Sequence, residues 1–274
     1  MNAQNKELLE KYPLLKPYNV WTNEELRTME FTEALENFYN EIYKPHLQTR
    51  ENAFLYCIAA RKKYLRENDE CKLSTRADII ERKTIDKDDF LAFKTRLSNL
   101  CNNTYLDLNG RAIPDYTKVL YVQLNPVNLK STYCEYLKSV MEFNTEVINS
   151  IGKPLTSHTM TNLWYTAMQT NHGNKVWFDF DLDLNEGTDK DSFKAELKEG
   201  FRQKFPQAVM HLITTRGGFH LIVKKENMSK DFNPEVILTY LKGYDEFCSE
   251  IKICKSNFIP CPGTIQGGVR VEFE

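Results

Sequence analysis

The chain has no run approaching the roughly 18 apolar residues that cross a bilayer, and its opening stretch, MNAQNKELLEKYPLL, is too polar for a secretory signal. A cytoplasmic address without a membrane partner is therefore expected. It also lacks an excess of positive charge. Thirty-six Lys and Arg stand against 38 Asp and Glu, a formal charge of −2, so any binding of nucleic acid needs a local patch and not a global field. A disulfide framework is missing too: the seven cysteines, at 57, 71, 101, 134, 248, 254 and 261, are odd in number and contain no CxxC pair. Free thiols follow, and the spacing of Cys248, Cys254 and Cys261 is too irregular for a usual zinc site. No internal repeat or low-complexity segment interrupts the chain. What is present is apolar material, 41% hydrophobic and 12% aromatic over 274 residues, enough for one large or two small domains and too much for general disorder.

Residues 1–50 read as a helical lead-in, with Thr22 and Glu25 spaced as a capping box. The apolar run from Ala53 to Ala60 is a strand or a buried helix and ends in Arg61, Lys62 and Lys63, the best local candidate for phosphate contact. A solvated helix face would carry such charges equally well. Phe90, Phe93 and Leu97 have helical spacing, 118–126 reads as a strand stopped by Asn-Pro, and helices are expected over 131–151 and 156–170 before a loop at 171–174.

The informative stretch is Val176 to Leu184. Trp177, Asp179, Asp181 and Asp183 fall on one face of a strand, and Val176, Phe178, Phe180, Leu182 and Leu184 on the other. Three carboxylates in a row repel, and a divalent cation is the simplest thing that offsets them; hard oxygen ligands suit Mg²⁺ or Mn²⁺. Next, 208–225 reads as two strands joined by a tight turn, Thr215-Arg216-Gly217-Gly218, whose amides and guanidinium can meet an anion beside His220. A helix capped by Asn233 is expected to run to Phe247, followed by a strand over 250–254, a Pro- and Gly-rich loop over 258–268, and a last strand from Val269 to Phe273.

Taken in order, these stretches resemble the catalytic core of the archaeo-eukaryotic primase superfamily, including phage and plasmid primase-polymerases, over roughly residues 51–274. The resemblance implies an α/β (α+β) fold: an N-terminal α/β module over 51–170 and an RRM-like antiparallel sheet over 171–274 that carries the metal and nucleotide site. The family's Asp-x-Asp/Glu motif matches Asp179 and Asp181. Its Ser-x-His motif matches His220, with Gly218 at the serine position. The stretch ending in Pro262, Gly263 and Thr264 looks like an Arg-x-Pro-Gly-Ser/Thr motif without the arginine. A third metal carboxylate has no clear counterpart; Glu250 stands in the best place, with Asp245 and Glu272 as alternatives.

What this implies is a DNA-templated nucleotidyltransferase, a primase or polymerase. Asp179, Asp181 and Glu250 would hold the metal, and Arg216, Gly217, Gly218 and His220 the nucleoside triphosphate. Arg61, Lys62 and Lys63 would meet nucleic acid, with single-stranded DNA as template and a replicative helicase as a partner. The competing readings are a primase-like nucleic-acid-binding module of a replication or defence system that has lost turnover, and a metal-dependent nuclease built on the same strand.

Overall fold

A computed structural model of the chain describes residues 30–75, 77–149, 156–170, 175–225, 233–254 and 257–274; the capping box at Thr22 and the loop at 171–174 lie outside them. The fold is mixed α/β with antiparallel sheets. Helix α1 (Glu30–Phe38) continues through a π-helical turn, Tyr39–Tyr43, and a last turn, Lys44–Leu47, into strand β1 (Asn52–Arg61). Strand β2 (Ala77–Ile85), helix α2 (Phe90–Asn102), strands β3 (Lys118–Gln123) and β4 (Val127–Asn128), and helices α3 (Leu129–Asn149) and α4 (Ser157–Thr170) follow. Then come β5 (Trp177–Leu184), α5 (Lys190–Lys204), β6 (Met210–Thr214), β7 (Gly218–Lys224), α6 (Pro234–Leu241) and β8 (Cys248–Ile253). The chain closes with β9 (Phe258–Pro260), β10 (Ile265–Gln266), β11 (Val269–Arg270) and β12 (Glu272–Phe273).

Two sheets dominate. The first runs β2-β1-β3-β9 with β4 beside β1, the second β12-β6-β7-β5-β8, and β10 pairs with β11 as a separate hairpin. β1 is the strand of the two options its apolar run allowed: residues 53–60 are buried throughout because both faces of the strand are covered. Asn233 caps its helix as the sequence indicates, accepting from the Glu235 amide, and Asp89 caps α2 by accepting from the Ala92 amide.

Three expectations shift. The helix after Asn233 ends at Leu241 and tightens into a 3₁₀ turn, Lys242–Tyr244. The Pro- and Gly-rich segment is not simply a loop, since β9 pairs with β3 and thereby returns to the first sheet. Sheet membership accordingly does not follow a single cut at residue 170. The last strand is broken at Val271, whose amide donates to the Thr264 carbonyl and whose carbonyl accepts from Gly263, so β11 folds back on β10 while β12 joins β6.

The second sheet is covered differently on its two faces. Phe180, Leu182, Phe219, Leu221 and Val223 pack under α5 and α6 against Phe193, Leu197, Phe201, Ile237 and Leu241. The opposite face contributes Trp177 and Ile222 to a core shared with Phe54, Tyr56 and Val122 of the first sheet. Gly218 sets how closely β7 meets β5: it stands across from Asp183, and a Cβ there would lie 1.9 Å from the Leu182 carbonyl oxygen. Serine therefore has no room at this position. Gly218→Ala is expected to destabilise the protein by about 2 kcal/mol or more, because backbone must move to admit the methyl. Chemical denaturation checks this, and an unchanged midpoint would contradict the packing described.

Candidate metal and nucleotide site

Strand alternation carries Trp177, Asp179, Asp181 and Asp183 along one face, from core to solvent. Trp177 lies in the shared core, Asp179 is 5% exposed at its margin, and Asp181 and Asp183 line a cleft of about 690 Å³ between the two sheets. The register sets His220 of β7 and Lys252 of β8 on either side of Asp181.

His220 is held by the deepest carboxylate. Its Nδ1 lies 3.0 and 3.1 Å from the two oxygens of Asp179 and donates there, since a carboxylate only accepts; its Nε2 lies 3.8 Å from Asp181 Oδ1. Burial by itself would lower the imidazole pKa, but Asp179, and behind it Asp181 and Asp183, hold it above the ordinary 6.5. A raised folded value means that the pair stabilises the fold fully below about pH 6.5 and that this contribution is lost as pH climbs through the folded pKa. Asp179→Asn removes the nearest charge, so the His220 pKa is expected to fall, as NMR titration of the imidazole would show; an unmoved value would mean that Asp179 does not set it.

Asp181 sits among like charges. Burial pushes its carboxyl pKa up and Asp183 and Asp179 add to this, while His220 and Lys252 pull it back. Lys252 Nζ is 3.5 Å from Asp181 Oδ2 and 3.9 Å from Asp183 Oδ2, and it binds the Glu250 carboxylate. That bond to Glu250 raises the ammonium pKa against a smaller effect of burial, with Asp181 and Asp183 adding to it.

The three carboxylates considered for the third metal ligand lie in different places. Glu250 is across from Asp183, exposed, paired with Lys252 and off the cleft lining. Asp245 is exposed just beyond the 3₁₀ turn. Glu272 is exposed on β12, at the sheet edge opposite β8. Beside Asp179, instead, stands Cys254: ligand atoms of Asp179, His220 and Cys254 lie within 4.8 Å of one another. Burial, then Asp179 and Asp181, push the Cys254 thiol up, away from the thiolate a soft metal needs.

The facing wall is basic. Arg61, at the end of β1, donates from Nη1 to the Tyr121 hydroxyl at 2.7 Å, and Lys63 lies in the 3₁₀ turn Lys62–Tyr64 that follows. Both line the cleft, whereas Lys62 is exposed and does not. Burial lowers the Lys63 pKa, and the nearby Arg61 charge lowers it further. Arg216 lies 5.4 Å over the Tyr64 ring, and its turn is fixed from α5 by Lys190, which donates to the Thr215 and Arg216 carbonyls at 2.9 and 2.6 Å.

Sequence reasoning missed Lys252, Lys190, Tyr64 and Gln266. Lys252 had a signal: with Ile251 and Ile253 facing inward, it shares the face of Glu250 by simple alternation. The others depend on contacts between distant segments. The cleft thus sets Asp181 and Asp183 against Arg61 and Lys63 from the end of β1 and the turn after it, with Arg216 on the β6–β7 turn beside Asp183, and such a mixed lining can meet a ligand that carries both a metal ion and phosphates. No family model, curated protein or solved structure matches this chain.

Proposed function

We propose that the cleft binds a nucleoside triphosphate together with Mg²⁺ or Mn²⁺, and that the protein is a DNA-templated nucleotidyltransferase of the primase-polymerase type its sequence resembles. The observation that carries the reading is one cleft lined by Asp181 and Asp183, by Arg61 and Lys63 from the other sheet's side, and by Arg216 on the turn beside Asp183. Asp181 and Asp183 offer carboxylate oxygens to a hard cation in the cleft, and the crowding that raises the Asp181 pKa is what a bound cation relieves, while Asp179 stands behind them with both oxygens on His220 Nδ1. Asp183 lines the cleft beside Asp181, the two sharing Lys252; Glu250 joins only when Lys252 releases it.

When bound, the ion supplies neutralisation of the charge on the triphosphate and on an attacking 3′-hydroxyl. The chain's own residues do the rest. Arg216 and Lys63 bind and orient the triphosphate, Tyr64 and Lys190 hold Arg216 in place, and His220 fixes the Asp179 carboxylate. Nucleic acid would approach along Arg61 and Lys62, at the mouth of the cleft.

Lys252 favours a second reading. Its ammonium already sits among Asp181, Asp183 and Glu250, as it would in a binding module that had given up turnover. Synthesis on single-stranded DNA, with ribo- and deoxynucleotide pools supplied separately, separates the two. Labelled product in either pool supports the transferase; triphosphate binding without product in both supports the module; loss of template without added nucleotide points to a nuclease.

A further inference from the structure

Asp179, His220 and Cys254 come from three adjacent strands and meet on one face of the second sheet. Cys254 follows β8 and is pinned across from Asp179 by its amide, which donates to the Asp179 carbonyl at 2.8 Å, while His220 stands on β7 across from Asp181. His220 Nδ1 is 3.0 and 3.1 Å from the Asp179 oxygens, and donor atoms of all three residues lie within 4.8 Å of one another. Among the described residues no other three His, Cys, Asp or Glu side chains are so placed. A tetrahedral Zn²⁺, with Zn–N and Zn–O bonds of about 2.0 Å and a Zn–S bond of about 2.3 Å, sets its donors about 3.3–3.6 Å apart. The separations here, from 3.0 Å to at most 4.8 Å, span that range, so small side-chain rotations close the site.

The donors decide the ion. One thiolate and one imidazole beside a single carboxylate favour a borderline-soft cation over Mg²⁺ or Mn²⁺, which the oxygens of Asp181 and Asp183 suit instead. We infer that Asp179, His220 and Cys254 form a Zn²⁺ site distinct from the hard-cation position in front of them. His220 and Cys254 line the cleft, which gives the ion its path in and leaves its fourth position to water. Coordination displaces the protons of Cys254 Sγ and His220 Nδ1 to solvent, the dication outweighing the carboxylates that oppose a thiolate in its absence. The ring proton then sits on Nε2, which faces Asp181 Oδ1 at 3.8 Å, and a carboxylate behind the second nitrogen is the usual support of a ligating histidine. The site depends on no property of a nucleotide.

The test is titration of the metal-free full chain with Co²⁺ and then Zn²⁺, for wild type, Cys254→Ser, Cys254→Ala and, as a control for an exposed thiol, Cys134→Ser. The wild type is expected to take up one Co²⁺ with a thiolate-to-cobalt charge-transfer band in the near ultraviolet, to lose that band when Zn²⁺ displaces the cobalt, and to melt at a higher temperature with Zn²⁺ than without. Both Cys254 variants are expected to lack the band and to bind Zn²⁺ at least about tenfold more weakly, with Cys134→Ser matching the wild type. Excess Mg²⁺ is expected to leave the band in place, since a thiolate is a poor ligand for it. No band in the wild type, a band that survives in either Cys254 variant, one lost in Cys134→Ser, or one removed by Mg²⁺ each overturns the site. None of these outcomes bears on whether the cleft binds a triphosphate, which the transferase assay tests separately.

Discussion

Asp181→Ala is expected to lower nucleotide incorporation at least about 100-fold while thermal stability stays level or rises, because a group that stabilises reacting charge in place is worth that much. The two effects separate because the site works against the fold. Burial and the charges of Asp183 and Asp179 make the ionised Asp181 carboxylate unfavourable, so its removal relieves repulsion even as it removes a ligand. Asp179 is a poorer choice for this test: it is nearly buried and holds His220, so its truncation disturbs the sheet as well as the chemistry. Incorporation on single-stranded DNA, followed alongside a melting curve, gives both readings. Wild-type incorporation by Asp181→Ala would remove the carboxylate row from the mechanism.

Lys252→Met is expected to bind Mn²⁺ about tenfold more tightly than wild type when no nucleotide is present, given the size of a half-solvated charge interaction at about 4 Å. An ammonium 3.5 Å from Asp181 and 3.9 Å from Asp183 occupies the space and the lone pairs that a divalent ion would use, and it holds Glu250 as well. Methionine keeps the length of the stem and removes the charge. The triphosphate offers Lys252 other oxygens, so the gap between wild type and variant should narrow once nucleotide is added. Equal or weaker Mn²⁺ binding by the variant would show that Lys252 does not compete for these carboxylates.

The parts of the site that are legible in the sequence are those set by local period. The alternation from Val176 to Leu184 places three carboxylates on one face whatever the neighbouring strands do, and the double glycine after Arg216 marks the hairpin that turns β6 into β7 and sets His220 across from Ile213. The mixed α/β character follows from the same alternation of helical and strand periods. Register between distant strands is not local. A shift of one residue in the β5–β8 pairing would put Ile251 or Ile253, and not Lys252, opposite Asp181, and only the folded sheet decides between them. The three-residue β9 contains a proline and has no period to detect, and the break at Val271 depends on hydrogen bonds to Gly263 and Thr264. The basic wall shows the same division. Arg61 and Lys63 stand out as charge, but their position facing Asp181 and Asp183 comes from two sheets packing through Phe54, Tyr56, Trp177 and Ile222.

In the proposed function one cleft holds a cation and a triphosphate at once, the aspartates serving the first and the basic side chains the second. Titration of the wild-type chain with ATP, with and without Mn²⁺, measures that coupling directly. One nucleotide per chain is predicted, bound at least about tenfold more tightly with the metal than without, as a coupling free energy of 1.4 kcal/mol or more requires. Nucleotide affinity that is the same with and without Mn²⁺, or no binding in either condition, would contradict it.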